Sequence, residues 1–296
     1  MQTAVELHPG NVRSSKFGPL LLLVLLAVFL PCAAWAQQPQ EERWSAEARY
    51  AHSLHVSGTT RVREFQIRGD RLDLNEDLGV EQWNIYEAEI GRRLDSGDRI
   101  RFSYFYSRFS GSEHRGAPFD YNGASFLGGQ DVNIEQSTYQ RLAFLYEYTV
   151  SPRGSSSELY WLIGLYTDLL NVKIDAELDP DTESQEKGED FGLQVLVWPT
   201  LGIGGRTRAT DALELWGEAF GWHIQGTDIP YREGGEFHAS QSAFDAVAGF
   251  RFVNVLLRPG VAYRYRYFYQ VTSTPEDYNK ALLRGHFLEL SLQARF

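Results

Sequence analysis

Apolar and polar residues alternate with a period of two along most of this chain, and no other feature constrains the fold as strongly. Residues 261–270 read VAYRYRYFYQ. In an extended strand, the tyrosines of this segment share one face, while Arg264 and Arg266 share the other. Water around a wholly aromatic row is unfavourable, and hydrocarbon around two arginines is more so. We therefore expect the tyrosines to face a lipid bilayer and the arginines to face the inside of a protein wall.

Ten segments carry this alternation, and each is close to the ~9–11 residues that cross a bilayer as a tilted strand. They are residues 44–54, 84–93, 99–106, 140–148, 159–168, 193–203, 212–220, 244–252, 261–270 and 287–296. No helical periodicity interrupts the series. The sequence therefore predicts an all-β fold.

The links between these segments alternate between short and long. The short links are residues 95–98, 151–157, 206–211 and the neighbourhood of 253–254; the long links are roughly 57–81, 111–134, 171–190, 226–239 and 271–281. Such alternation places the tight turns at one end and the long loops at the other, which is typical of a transmembrane up-and-down antiparallel β-barrel. We count about ten strands. Eight or twelve stay open, because VREFQI and RLDLN can either extend the flanking strands or form a hairpin of their own.

The N-terminus has the pattern of a secretory signal peptide. Basic residues precede an apolar run over residues 17–30, and Ala34 and Ala36 supply a small-residue cleavage pattern. We expect residues 1–36 to be cleaved and residues 37–296 to form a single barrel domain. A membrane anchor is one alternative, but the run is shorter than the ~20 residues of a spanning helix. Lipid attachment at Cys32 is another, but Pro31 precedes it where a small residue is usual.

The last ten residues, FLELSLQARF, form an alternating strand that ends on Phe296. With the signal peptide and the loop pattern, this strand makes the whole chain resemble Gram-negative outer-membrane β-barrel proteins. The resemblance implies location in the cell outer membrane, with Leu290, Leu292 and Phe296 as the signal for the barrel assembly machinery. It also implies contacts with periplasmic chaperones during biogenesis and with outer-membrane lipids and lipopolysaccharide. The chain departs from the family pattern at Ala294, where a larger residue is common.

The inward faces of the predicted strands carry charges of both signs. The candidate lumen-lining residues are Arg99, Arg101, Arg141, Glu147, Glu214, Glu218, Arg251, Arg264, Arg266 and Glu289. The same faces also carry Glu47, Arg49, Glu87, Glu89, Asp245 and Arg295. Because a barrel of about ten strands is narrow, large side chains fill much of its interior. We expect a paired polar core that supports the wall, and the alternative is a selective pore along Arg99, Arg101, Arg264 and Arg266.

Few residues in this sequence point to catalysis or to metal binding. His223, followed by Asp228, resembles the histidine sites of outer-membrane lipid A deacylases and omptin-like proteases. The acidic link 171–190 lacks the glycine pattern of a calcium loop. The glycine-rich stretch 121–130 lacks the strand and helix of a phosphate cradle. We expect no catalytic residue, no metal and no cofactor.

The net charge of -11 argues against nucleic acid as a partner. We therefore expect a non-enzymatic, porin-like outer-membrane barrel that is structural or forms a narrow channel. An enzyme acting on lipid A or surface peptides is the first alternative. The second is a surface-binding protein that works through its long loops.

Overall fold

Ten long strands form the wall of a barrel. The computed structural model describes residues 43–63, 69–122, 124–134, 137–152, 155–176, 191–192, 196–230, 236–273 and 278–296. In chain order the strands are β1 (Trp44–Arg63), β2 (Leu72–Asp73), β3 (Val80–Arg93), β4 (Arg99–Arg115), β5 (Phe119–Tyr121), β6 (Ala124–Phe126), β7 (Gln130–Asn133), β8 (Thr138–Thr149), β9 (Ser157–Val172), β10 (Phe191–Gly192), β11 (Leu196–Arg208), β12 (Leu213–Pro230), β13 (Glu236–Phe252), β14 (Leu257–Ser273) and β15 (Tyr278–Arg295). The wall consists of β1, β3, β4, β8, β9, β11, β12, β13, β14 and β15. Within the described ranges, no helix is long and apolar enough to cross a membrane.

Hydrogen bonding between the last strand and the first closes the barrel. β15 pairs antiparallel with β1 along 18 residue pairs. Beside the short links, at what we call the turn end, Trp44 N donates to Phe296 O at 2.7 Å and Phe296 N donates to Trp44 O at 2.9 Å. Every wall strand pairs with two neighbours, so the wall has no free edge. The predicted all-β, ten-stranded antiparallel barrel is confirmed.

The outer face of the wall carries a belt of exposed apolar side chains. On β9, Trp161 and Ile163 are 45% and 52% exposed, whereas Tyr160 and Leu162, which alternate with them, are buried inside. The apolar belt comprises Trp44, Tyr50, Tyr86, Ile90, Phe102, Leu142, Phe144, Tyr148, Leu159, Trp161, Ile163, Leu165, Val197, Leu201, Ile203, Leu215, Phe244, Phe250, Tyr263, Leu288 and Leu290. A contiguous apolar surface of this kind needs hydrocarbon around it.

Asp98 fixes the turn between β3 and β4 at the turn end. Gly97 has φ 95°, a left-handed conformation that glycine adopts without strain. Leu94 N donates to Asp98 O at 2.8 Å. The Asp98 carboxylate accepts from Thr149 N at 3.0 Å and from Tyr146 Oη at 2.7 Å. These bonds attach the turn to β8, the next strand of the wall.

The prediction of five long loops is wrong at two links. Strand β12 continues to Pro230 and β13 begins at Glu236, so most of 226–239 is strand. Strand β14 continues to Ser273 and β15 begins at Tyr278, so most of 271–281 is strand as well. Backbone pairing in both hairpins continues beyond the loop-end edge of the belt. Strands β1 and β4 likewise extend past the predicted loop starts at 57 and 111.

Parts of the first two long links pack together at the opposite end, the loop end, as a loop cap (described residues 69–79, 116–122 and 124–134). Strand β2, from the RLDLN segment, pairs with β1 and adds no wall strand. In VREFQI, residues 62–63 belong to β1 and 64–67 lie outside the described residues. The glycine-rich stretch forms the β5–β6 hairpin, where Phe119 and Phe126 stack at 4.8 Å. Burial raises the pKa of Tyr121 in this cap.

The belt leads to a test with one lysine at two heights of β8. Phe144→Lys places a charge at a belt position that is 50% exposed, and we expect it to lower the free energy of unfolding by about 2–4 kcal/mol in lipid vesicles. Thr138→Lys, at the loop end of the same strand and on the same outward face, is the matched control, with an expected cost of about 0–1 kcal/mol. Urea unfolding in vesicles measures both. Equal losses for the two variants would show that hydrocarbon does not surround the belt.

Candidate functional site in the barrel interior

The ten candidate lumen-lining residues all project into the barrel. Each makes at least one ion pair with another inward-facing side chain. The ion-pair network comprises Glu47, Arg49, Glu87, Glu89, Arg99, Arg101, Arg141, Glu147, Asp168, Arg206, Glu214, Glu218, Asp245, Arg251, Arg264, Arg266 and Glu289. The sequence placed six further charged residues inward. Five of them lie in the same network: Glu47, Arg49, Glu87, Glu89 and Asp245. The sixth, Arg295, lies at the border of the network toward the turn end.

Several ion pairs cross the lumen between strands that are not neighbours. Arg101 on β4 donates to Glu218 on β12 at 2.6 Å. Arg264 on β14 donates to Glu87 on β3 at 2.7 Å. Three strands separate β4 from β12 in the wall and two separate β14 from β3, so both contacts cross the lumen. Charged side chains therefore occupy the middle of the lumen at this level.

Arg49 is the most connected cation of the ion-pair network. Its guanidinium donates to Glu47 at 3.0 Å, to Glu87 at 3.0 Å and to Glu89 at 3.2 Å. Glu289 lies 3.8 Å from the same group. A buried cation of this kind is tolerated only when several oxygens replace its lost water. The network is therefore a set of mutually dependent charges, and removal of one leaves others without a partner.

An aromatic layer lies above the network, toward the loop end, and sequence reasoning missed it. It comprises Trp83, Phe105, Tyr139, Tyr166, Trp222, Phe268 and Phe287, all of them buried. These rings contact one another, for example Trp83 with Phe287 at 5.0 Å and Tyr139 with Phe268 at 5.1 Å between centroids. The layer is continuous with the apolar interior of the loop cap. The alternation places these residues inward, but the sequence does not show that their rings meet in one layer.

Arg141 connects the aromatic layer to the ion-pair network. Its guanidinium carbon lies 4.9 Å from the Tyr166 ring centroid and 5.1 Å from that of Trp222. It donates to Asp168 at 2.7 Å, and Gln241 donates to the same carboxylate at 3.0 Å. Cation–π and charge-assisted contacts together hold this cation between two layers. Asp168 was missed as a site residue, although its even position on β9 places it inward.

The ion-pair network leaves little free space. A cavity between Arg49, Arg101, Glu218 and Arg251 has a volume of ≈ 20 Å³, which is room for one or two water molecules. A solute larger than water cannot pass through this cavity without displacing paired charges. The arrangement is that of a filled core at this level of the barrel.

His223 lies on the outer face of β12, just above the apolar belt. Its Nδ1 is 2.7 Å from Ser242 Oγ on β13, and both side chains face outward. Asp228 belongs to strand β12 and not to a loop, and its side chain lies outside the described residues. The sequence offered no serine for His223, because Ser242 becomes its neighbour only through the β12–β13 register.

Most of the acidic link 171–190 lies outside the residues that the structure describes. Residues 177–190 lie outside the described residues, and Asp175 pairs through its backbone with Asn133. Among the residues that the structure describes, no group of three or more His, Cys, Asp or Glu side chains could hold a metal ion.

Leu290 is 51% exposed within the apolar belt, and Leu292 lies below it on the same outward face. Phe296 pairs with Trp44 at the seam.

The chain is therefore a closed antiparallel β-barrel with an apolar belt outside and a filled interior. No protein-family model matches it, and no curated protein matches it. Among solved structures it is similar to the outer membrane protease OmpT from Escherichia coli, with 12% identity over 85% of this chain and 97% of that chain and a TM-score of 0.47. It is also similar to the translocator domain of autotransporter NalP from Neisseria meningitidis, with 14% identity over 96% of this chain and 100% of that chain and a TM-score of 0.40. A Pseudomonas aeruginosa FadL homologue shares 9% identity over 86% of this chain and 90% of that chain, with a TM-score of 0.32. These likenesses concern general architecture, and no activity is carried over from them.

The ion-pair network predicts a large effect from one neutral substitution. Asp245 accepts from Arg266 at 2.7 Å and lies 3.8 Å from both Arg141 and Arg264. We expect Asp245→Asn to lower the free energy of unfolding by about 3–5 kcal/mol, because three buried cations lose a counter-charge. Asp131→Asn, which removes an exposed pair with His114 in the loop cap, should cost about 0–1 kcal/mol. Urea unfolding followed by gel mobility compares the two, and similar midpoints would contradict a coupled interior network.

Proposed function

We propose that this protein is a non-enzymatic, integral outer-membrane barrel with a structural role, which anchors its loop cap at the cell surface and does not conduct solutes. The observation that carries the proposal is the interior: ion pairs cross the lumen between strands that are not neighbours, and an aromatic layer lies above them. A water-filled channel requires an unobstructed polar path. Here both layers would have to separate before a solute could pass.

The outer-membrane location is supported by three features of the chain. The apolar belt suits hydrocarbon, the signal-peptide pattern at residues 1–36 suits export, and the strand that ends on Phe296 suits the assembly machinery. In this orientation the turn end and both ends of the barrel chain face the periplasm. The loop cap then faces outward, among lipopolysaccharide molecules.

The loop cap supports a surface role because it is a folded structure. Asp70 N donates to Asp120 O at 2.7 Å, which joins the first and second long links. Strand β7 pairs with the upper part of β4, and Leu72, Leu78 and Val132 are buried beneath. A cap with its own packed interior presents a fixed outer surface and also covers the aromatic layer. Surface binding through the loops is thus compatible with the structural role.

Planar bilayer recordings test the closed interior. We expect the wild-type protein to give no steady openings, and Arg264→Glu to leave the bilayer equally silent or to add noise from a disturbed network. Insertion is checked in the same preparation by gel mobility and protease protection, so that silence does not reflect empty membranes. Steady wild-type openings that Arg264→Glu abolishes would overturn the proposal and favour a selective pore.

A second candidate function rests on the contact between His223 and Ser242. A histidine 2.7 Å from a serine hydroxyl is the minimal arrangement for nucleophilic attack on an ester. The pair lies on the outer face near the border of the apolar belt, where acyl chains of lipid A would lie. Mass spectrometry of lipid A decides between the readings. The enzyme reading requires an acyl pattern that changes with the protein and reverts in His223→Ala and Ser242→Ala; we expect no change.

A further inference from the structure

The turn end of the barrel interior is strongly cationic. A cavity at this end is lined by Arg43, Trp44, Ser45, Arg93, Arg99, Arg206 and Arg295. Five of these seven residues are arginines, and none of the seven is acidic. We call the five arginines the cationic mouth. Nothing in the alternation pattern or in the proposed structural role requires such an excess of one charge at one level of the barrel.

The strand register brings the five arginines to one level. Arg93 is the last residue of β3, Arg99 is the first of β4, and Arg295 is the last of β15. Arg43 directly precedes β1, and Arg206 lies near the turn-end terminus of β11. Arg93, Arg99, Arg206 and Arg295 occupy inward positions of their strands. The cationic mouth is thus assembled from four separate strands and the residue before β1, rather than from a local run of basic sequence.

Four arginines of the cationic mouth have acidic partners that other cations share, whereas the exposed Arg43 pairs with Asp95 at 3.1 Å. Glu158 pairs with both Arg93 and Arg206 at 2.5 Å. Glu147 pairs with Arg206 at 2.5 Å but also lies 3.7 Å from Arg101. Glu89, the partner of Arg99 at 3.3 Å, also accepts from Arg101 at 2.8 Å and from Arg49 at 3.2 Å. The carboxylates therefore belong to the ion-pair network as much as to the mouth.

Arg295 has the weakest ion pairing in the cationic mouth. Its closest acidic atom in the described part of the chain is Glu214 Oε1 at 3.8 Å, and that oxygen also lies 3.7 Å from Arg251. Its Nε donates to the neutral amide oxygen of Gln293 at 3.0 Å. Its surroundings also include the positive charges of Arg258, Arg206 and Arg99. Part of this guanidinium is thus available to another oxygen acceptor.

The geometry points to a phosphate-binding site in the cationic mouth, for inorganic phosphate or the phosphomonoester end of a small molecule. Planar guanidinium groups donate paired hydrogen bonds that match the oxygens of a phosphoryl group. The cavity volume of ≈ 30 Å³ holds only a few water molecules. One phosphoryl group that replaces this water and remains partly open to solvent fits the space, whereas a sugar chain or a peptide does not. This site is independent of whether the barrel conducts.

Titration calorimetry on the purified full-length barrel in a non-ionic detergent tests the site, with inorganic phosphate as the probe at constant ionic strength. We expect saturable phosphate binding, weaker binding of sulfate, and none of chloride. Arg43→Gln combined with Arg295→Gln should weaken phosphate binding at least tenfold, because these two arginines contribute least to the ion-pair network. Arg284→Gln, an outward arginine beside Tyr267, is the control and should bind as the wild type does.

Three results would overturn the site. They are no heat of binding at millimolar phosphate, equal binding by the wild type and the double variant, and an equal response to chloride and phosphate. Gel mobility verifies that each variant is folded. If the double variant does not fold, Arg295→Gln alone replaces it, and Arg295→Lys should then retain more binding than Arg295→Gln.

Discussion

A hydrocarbon layer offers no hydrogen-bond partner to the peptide backbone, and the rest of this structure follows from that constraint. Closure of β15 on β1 satisfies it, because the pairing runs along the full length of both strands and ends with the reciprocal bonds between Trp44 and Phe296. Closure also imposes alternation along each regular stretch of strand, since every second side chain enters the lumen and its neighbours face the bilayer. The apolar belt and the filled interior are therefore two faces of one backbone arrangement.

The inward-facing charges reach their partners only when the barrel is closed. Arg251 on β13 donates to Glu47 on β1, 204 positions away in sequence, and the two meet only after the seam has formed. In an unfinished barrel, each of these charges would lie beside hydrocarbon or solvent without its counter-charge. The ion-pair network thus stabilises the closed wall over partly paired intermediates, while the aromatic layer excludes water from the upper half. Such a network gives specificity of assembly more readily than it gives net stability.

Much of the fold was available from the sequence, because period two is dictated by the pleat and survives without knowledge of the neighbours. The order of ten strands and the inward positions of Arg264 and Glu87 follow from parity alone. The partners do not, because the stagger between strands decides that Arg264 meets Glu87 and that Ser242 lies opposite His223. Strand ends above the belt were also missed: a water-exposed strand such as the start of β13 needs no apolar row to mark it. Rings such as Trp83 and Phe105 fall on the inward face by parity, but the register between strands decides that they meet in one layer.

The strands of the wall differ in length, from 20 residues in β1 to 12 in β8. At about 3.3 Å per residue and a tilt near 40°, this difference corresponds to roughly 20 Å along the barrel axis. The rim of the strand wall is therefore slanted, high beside β1 and low beside β8. One flank of the loop cap is screened by this rising rim to a greater extent than the other. A large molecule that approached this end of the barrel would meet the two flanks unequally, so the direction of approach would become part of recognition.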